Sequence, residues 1–455
     1  MAEDSAHDSE DEFREMLSKF LSGTGDIDPA SLAHAAGLPN DPVMLAKLIS
    51  QLQNALTATG DSINWDLARE QAQTIASQDQ VDSPPTQRAA LEQAFHIAEL
   101  WLNEATGISE LTATPKLLSR AQWITATLPI WIQLAEPVAL SIAGSLTEVL
   151  REQAPEEFSG MIDGASKIMR TVGGTLFAIQ LGQVVGQLSS EVVSGGDIGI
   201  PLLGSTSDDQ QAAILPQNAA AFGAGLDIES DQIEIYLAVR ELAHARLFRH
   251  AKWLKMLVLG SITDSAQGNR INTDRLEQLA NEFDPASPES LREAMVSGAL
   301  IAPKSPAQLA ALTRLETLLA LVEGWVDVVT ASATARLPKA DAIAETVRRR
   351  RASGGPAESA FSTLVGLELR PRRLREAAAL WQKITDDVGS ARRDELWSHP
   401  DLVPTTEDLD DPAALIARLT GETPETDDVD RAIEELLRDD RDNRPHEGTA
   451  GEQTP

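Results

Sequence analysis

The sequence predicts a mainly α protein, a multi-helix fold with little or no β-sheet. Two observations favour this fold class. Aromatic residues make up only 4% of the chain, with a single Tyr, and stretches of strict apolar–polar alternation are hard to find. Several long segments instead repeat apolar residues at intervals of three and four positions, which is the spacing of a helix with one buried face.

Residues 121–140 are rich in apolar side chains and predict two helical pieces joined near Pro129, because proline interrupts the hydrogen bonding of a helix. Trp123 and Trp131 lie on this segment. A pair of tryptophans can line a pocket, but large aromatic side chains more often fill a core. We therefore expect Trp123 and Trp131 to be core residues.

A glycine-dotted segment, residues 161–193, follows. Gly182 and Gly186 are four positions apart, so they lie on one helix face and allow a neighbouring helix to approach closely.

The irregular residues 194–225 come next. They fit either a wall beside a functional site or a simple surface connection, and a small strand is expected within residues 189–203.

The stretch 234–257 contains the predicted helix around which the rest of the chain is organised. This segment contains Arg240, Glu241 and His244, one residue away from the zinc-hydrolase signature H-E-x-x-H. Arg240 and His244 are four positions apart and share a helix face. Asp231 and Glu234 have the spacing of a capping box at the start of this helix.

A second long helix is predicted over residues 305–337. Ser305 is the expected N-cap and Gln308 completes a capping box. Glu316, Glu323 and Asp327 are seven and four positions apart, so they share one face of an otherwise apolar helix. Burying three acids on such a face is costly unless a cation or hydrogen-bond donors accompany them.

The following stretch, residues 339–393, is locally basic and includes the run Arg348–Arg351. Such clusters bind phosphate or nucleic acid in some proteins. Because no aromatic stacking pattern or groove-reading motif accompanies them, we expect these arginines to pair with the chain's own acidic residues.

The length and the net charge of the chain limit the classes of partner and the number of domains. The 455 residues carry a formal net charge of −32, which disfavours nucleic acid as a partner. We expect an acidic, disordered segment at 1–30, a helical domain at 31–415 with a lobe boundary near 194–230, and an acidic, largely disordered tail at 416–455.

The chain contains no cysteine, so disulfides and thiolate zinc sites are excluded, and this fits a reducing cytoplasm. No signal peptide and no run of about 18 apolar residues is found, so no membrane span is expected. The predicted location is cytoplasmic.

The sequence resembles the zincin-like hydrolases of actinobacteria, which are often labelled zinc-dependent metalloproteases. The resemblance runs from about residue 63 to residue 412. It rests on the following residues and segments: Trp65-Asp66, Trp123, Trp131, 181–188, Leu215-Pro216, 236–248, Trp253-Leu254, 322–325 and 364–381.

This resemblance implies a metal-dependent hydrolase, perhaps a peptidase, with Zn²⁺ as cofactor and a peptide or protein as its unidentified substrate. It assigns Glu241 as the catalytic base and His244 and Glu323 as metal ligands. Asp327 would hydrogen-bond a ligand His and hold it in position. The E-x-x-x-D spacing of Glu323 and Asp327 matches the thermolysin-like arrangement.

Arg240 is the departure that matters, because it occupies the position of the first zinc-binding His. A guanidinium cannot coordinate a metal, which leaves two ligands where a catalytic zinc site usually has three. The third ligand would have to come from elsewhere in the chain, and the candidates are His96, Glu316, His399 or an Asp that the sequence does not single out. His250 has the spacing of a third His but lies off the face of His244.

The alternative is a metal-free, catalytically inactive zincin scaffold that acts as a binding or regulatory protein. In this hypothesis Arg240 bridges Glu323 and either Glu241 or Asp327, so that an organic cation replaces the charge of Zn²⁺.

Overall fold

The computed structural model describes residues 63–153, 159–204, 209–267, 305–352, 356–365 and 373–421. Within these residues the protein is built from α-helices and two strands of two residues each, which confirms the predicted mainly α fold class. The predicted acidic segment at 1–30 and the tail beyond residue 421 lie outside the described residues.

The described helices are numbered here in chain order. They are α1 Asp66–Gln78, α2 Pro85–Ala105, α3 Arg120–Gln153, α4 Ser159–Glu191, α5 Pro216–Gly223, α6 Ser230–His250, α7 Lys252–Gln267, α8 Pro306–Ala333, α9 Ala340–Ala352, α10 Pro356–Val365, α11 Leu374–Glu395, α12 Thr406–Asp410 and α13 Pro412–Thr420. A short 3₁₀ turn, Pro400–Leu402, follows α11. Helix α13 continues past residue 415, the predicted end of the helical domain.

Helix α6 is the centre of the fold. From Tyr236 to Phe248 every side chain is buried except that of Arg240, which is intermediate. A helix that is buried on all sides must be surrounded by other elements, and α6 packs against α2, α8, α9 and strand β2.

The start of α6 differs from the sequence prediction. The helix begins at Ser230, and its N-cap, Glu229, makes no side-chain cap hydrogen bond. Asp231 lies inside the first turn, where its carboxylate accepts a hydrogen bond from the backbone N–H of Gln232. The predicted capping box of Asp231 and Glu234 is therefore wrong.

Helix α8 is the second central element. Ser305 caps it and forms the predicted capping box with Gln308. Residues 319–330 are buried without interruption, and α11 packs closely against them. A Cβ atom on Gly324 would lie 2.7 Å from the backbone nitrogen of Ala378, so this glycine sets the distance between α8 and α11.

A third group of helices, α1, α3 and α4, completes the core. A Cβ atom on Gly182 would lie 2.4 Å from the backbone oxygen of Ala68, which confirms the close helix approach expected at this glycine. Trp123 and Trp131 are fully buried, as predicted. Helix α3 runs continuously through Pro129, so the predicted break there is wrong. Burial of the flanking Leu128 and Ile130 holds the helix together across the proline.

The sheet is minimal. Strands β1 (Lys116–Leu117) and β2 (Ala213–Ile214) pair in parallel, with Lys116 opposite Ala213. The strand expected within residues 189–203 is only a single bridge from Ser194 to Ile214, because residues 189–191 complete α4 and the backbone turns at residues 195–199. None of the described helices is long and apolar enough to cross a membrane.

Candidate functional site

Arg240 and Glu323 form an ion pair between the two central helices. Nη2 of Arg240 on α6 lies 2.5 Å from Oε2 of Glu323 on α8. The side chains are 11% and 2% exposed, respectively. A buried pair in such close contact is held by Coulomb attraction and by a charge-assisted hydrogen bond.

A second guanidinium binds the same carboxylate oxygen. Arg351, in the last turn of α9, contacts Oε2 of Glu323 through Nη1, and its Nη2 donates to the backbone oxygen of Asp197 at 2.7 Å. Sequence reasoning placed Arg351 in a basic run without assigning it to this site.

Asp327 lies one helical turn after Glu323 and extends the same cluster. Arg348 donates to its Oδ2 from Nε at 3.1 Å and from Nη2 at 2.8 Å. Nη1 of Arg240 is 4.0 Å from its Oδ1. We call Arg240, Glu323, Asp327, Arg348 and Arg351 the arginine–carboxylate cluster.

The bridge predicted for Arg240 is therefore present between Glu323 and Asp327. Glu241 does not share in it. The hydrogen bonds of Asp327 go to Arg348 rather than to a histidine ligand.

Burial alone would raise the pKa of Glu323, but the guanidiniums of Arg351 and Arg240 outweigh that effect and lower it. Glu323 is therefore ionised at neutral pH, and its charge is already balanced by protein cations.

Glu241 faces the loop that precedes α6. Its Oε2 accepts from the backbone N–H of Gly196 at 2.7 Å, and its Oε1 accepts from that of Ala213 at 2.8 Å. Burial raises the pKa of Glu241 to about 7, while these two amides and the Ser194 side chain oppose the rise. In this arrangement the carboxylate fastens the loop and β2 to the central helix.

His244 is buried next to Glu323 and packs against Phe248, with ring centroids 4.8 Å apart. Burial lowers the pKa of His244 to about 4, so the imidazole is neutral at pH 7. Its Nε2 and Oε1 of Glu323 are both buried and have no hydrogen-bond partner. Buried polar atoms without partners are uncommon in proteins.

The loop of residues 194–203 packs directly on these side chains. A Cβ atom on Gly196 would lie 2.5 Å from Nδ1 of His244, and one on Gly199 would lie 2.8 Å from Oε1 of Glu323. Since most of the loop is buried, it is a wall of the site rather than a simple surface connection.

The other predicted ligands lie elsewhere. His96 is exposed on α2, His250 is exposed at the end of α6, and His399 is exposed and accepts from the backbone N–H of Asp401. Glu316 is half-buried on α8, two turns before Glu323.

A cleft of about 330 Å³ opens at the N-terminal ends of α3 and α5, between residues such as Ser119, Arg120 and Gln217. It shares no residue with the arginine–carboxylate cluster and is not part of this site.

Comparison with known families identifies the chain. The family model described as zincin-like metallopeptidase matches residues 63–416, which is most of the sequence. The chain belongs to the zincin-like metallopeptidase family. This confirms the zincin-like part of the resemblance seen in the sequence.

A solved structure from Chloroflexus aurantiacus, described as a candidate hydrolase with a novel fold, has a similar fold. The TM-score is 0.54 at 19% identity, and the match covers 79% of this chain and 99% of that one. A search of curated proteins gave no match.

The zinc ion that the family name implies does not fit the residues of this zincin-like chain. Among the described residues, no group of three or more His, Asp or Glu side chains is arranged to hold a metal. His244 and Glu323 provide two donors, and two guanidiniums already contact Oε2 of the Glu323 carboxylate. A metal ion there would be repelled by both.

Proposed function

We propose that this zincin-like protein works without metal, as a binding or regulatory protein whose partner is a peptide or another protein. The observation that carries this proposal is the Arg240–Glu323 ion pair. The residue at the first ligand position binds the carboxylate that would otherwise bind zinc.

The physical argument concerns charge. A zinc site holds buried carboxylates in place by supplying positive charge between helices. In this chain Arg240 supplies that charge, and its planar guanidinium also reaches towards Asp327. The helix pair can therefore keep its zincin-like arrangement without the ion.

The position of Glu241 agrees with a structural role. Both of its oxygens accept backbone amides, which hold the carboxylate towards the loop and β2. We infer that Glu241 orders the loop of residues 194–203, which is the wall that a partner would meet.

The second candidate is the metal-dependent hydrolase that the family description and the sequence resemblance imply. One observation favours it: Nε2 of His244 and Oε1 of Glu323 are both buried without hydrogen-bond partners, and the charge of Glu323 acts on the His244 imidazole. Zinc ligands in proteins are nitrogen and oxygen atoms of these kinds. In this function Glu241 would be the base.

Metal content distinguishes the two candidates. Untagged protein purified without chelators is analysed by inductively coupled plasma mass spectrometry, before and after incubation with zinc, beside the Glu323→Gln variant. The proposal predicts no stoichiometric zinc in either protein. About one zinc per chain in the wild type, lost in Glu323→Gln, would overturn it and establish the hydrolase candidate.

A matched variant, Glu316→Gln, completes the design. Glu316 is the acid of the same helix that was considered as a third ligand. If the wild type holds zinc, loss of the metal in Glu316→Gln as well would identify that ligand.

A further inference from the structure

The arginine run Arg348–Arg351 at the end of α9 is divided between two faces. Arg349 is 79% exposed and pairs with Glu345 on its own helix. Arg348, Arg350 and Arg351 all turn towards the central helices and the loop before α6. The basic run is therefore not a uniform surface patch.

Each of the three inward arginines has its own acidic or carbonyl partner. Arg348 binds Asp327, and Arg350 binds the carboxylate of Asp197 at 2.9 Å. Arg351 binds the backbone oxygen of Asp197 as well as Glu323.

The position of Arg351 does not depend on Arg240. The two residues come from different helices and share only the Oε2 atom of Glu323. If Arg240 were replaced, Arg351 would still be held by the Asp197 carbonyl, and its neighbours would still anchor the last turn of α9.

We infer that Arg351 is a second, independent internal cation on the carboxylate that a metal would need, so that the site is closed by α9 as well as by Arg240. This inference rests on the proposed metal-free function. It implies that restoring the missing ligand is not enough to restore metal binding, because a guanidinium still neutralises Glu323.

The expected difference in metal affinity follows from the repulsion between the Arg351 guanidinium and a bound cation. A like charge next to a buried site changes its affinity for a cation, the proton included, by roughly 10- to 1,000-fold. We therefore expect about 100-fold between variants with and without Arg351.

The test compares Co²⁺ binding to four full-length variants through the visible absorption of tetrahedral cobalt. They are Arg240→His, Arg351→Gln, the double variant Arg240→His/Arg351→Gln, and the matched control Arg240→His/Arg349→Gln. Circular dichroism and thermal unfolding establish that each is folded, and Arg351→Leu provides a second replacement at that position.

The inference predicts that the double variant with Arg351→Gln binds cobalt about 100-fold more tightly than either single variant and than the Arg349 control. Equal binding by Arg240→His alone would overturn it. So would the absence of binding in every folded variant, since the arginines would then not be what excludes the metal.

A measurement on the single variant covers the case in which the double variants do not fold. Arginine side-chain NMR of Arg240→His should retain an exchange-protected guanidinium signal, besides those of the buried Arg246 and Arg393, that disappears on adding Arg351→Gln and loses its protection on adding Glu323→Ala. Its absence from Arg240→His would overturn the inference. Because the wild-type zinc content is measured separately, failure here leaves the metal-free function itself testable.

Discussion

Helix α8 takes part in two buried ionic clusters, and they differ in how completely their atoms are paired. Trp325 of α8 donates to Oδ1 of Asp394 at 3.0 Å, and Arg393 donates to the same oxygen at 2.8 Å. Oδ2 of Asp394 accepts from the Thr106 hydroxyl and from the backbone N–H of Gly107. Every oxygen of that carboxylate is used.

Glu323, two residues before Trp325, is different. Both guanidiniums contact its Oε2, while Oε1 and the neighbouring Nε2 of His244 have no partner. The Asp394 cluster is a fully hydrogen-bonded contact between α2, α8 and α11. The Glu323 cluster is neutralised in charge but incompletely hydrogen-bonded.

The largest expected effect separates these two carboxylates. Asp394→Asn should destabilise the fold by about 3–5 kcal/mol, because Arg393 is left buried without its charge partner and four donors lose an ionised acceptor. Glu323→Gln should cost less, about 1–3 kcal/mol, since Arg240 keeps Asp327 as a nearby charge partner, Arg351 keeps its bond to the Asp197 carbonyl, and the amide oxygen can still accept from both guanidiniums. Urea unfolding measures both, and equal losses would contradict the comparison.

The pH dependence of stability should change when His244 is replaced. Its folded pKa is lowered to about 4, so between about pH 6.5 and pH 4 the unfolded chain binds a proton that the folded chain does not. The wild type should therefore lose on the order of 2–3 kcal/mol relative to His244→Gln as the pH falls through that window.

Glu241 gives the opposite trend, since its raised pKa favours the folded state at low pH and this contribution is lost as the pH rises towards 7. It is present in both proteins and largely cancels in their difference. Thermal unfolding from pH 4 to pH 7 measures the effect, with the exposed His96→Gln as control. Parallel profiles for wild type and His244→Gln would contradict the burial of a neutral imidazole.

A smaller difference should separate two neighbouring arginines. Arg351→Gln should cost about 2 kcal/mol of unfolding free energy, because it removes a buried charge-assisted hydrogen bond to Glu323. Arg349→Gln should show no measurable loss, since exposed ion pairs on a helix contribute little. Chemical unfolding of both variants tests this, and a comparable loss at Arg349 would show that the run stabilises the helix rather than the site.

The smallest expected effect concerns the loop wall. Gly196→Ala places a Cβ atom against His244 and should destabilise by about 1 kcal/mol. Gly173→Ala, on α4, meets nothing within 4 Å and should stabilise by about 0.5–1 kcal/mol through higher helix propensity. Melting temperatures should move in opposite directions, and a neutral Gly196→Ala would mean that the loop is not pressed on the site.

Much of this organisation could be predicted from the sequence because it depends on local spacing. Residues 240 and 244 share a face of one helix, Glu323 and Asp327 share a face of another, and an arginine among acids predicts an ion pair. A bridge from Arg240 to Glu323 and either Glu241 or Asp327 could be proposed from these facts, and the structure shows that the second acid is Asp327.

The contact of Arg351 with Glu323 could not be predicted from the sequence. Four consecutive arginines on a helix point in different directions, and only packing decides which of them face inward. Because Arg348 and Arg351 are three positions apart, the sequence predicts that they share a helix face. It does not identify the residues that they bind. The loop contacts of Gly196 depend on long-range packing, and the passage of α3 through Pro129 depends on burial, which no local rule supplies.

Arginine side-chain NMR of the wild-type protein tests the central claim most directly, namely that protein guanidiniums occupy the metal position. We expect exchange-protected guanidinium signals from Arg240 and Arg351, assigned apart from those of the buried Arg246 and Arg393, that are unchanged by added zinc and that lose their protection in Glu323→Ala. Signals that shift or broaden on addition of about one equivalent of zinc, or that are unprotected from the start, would contradict it.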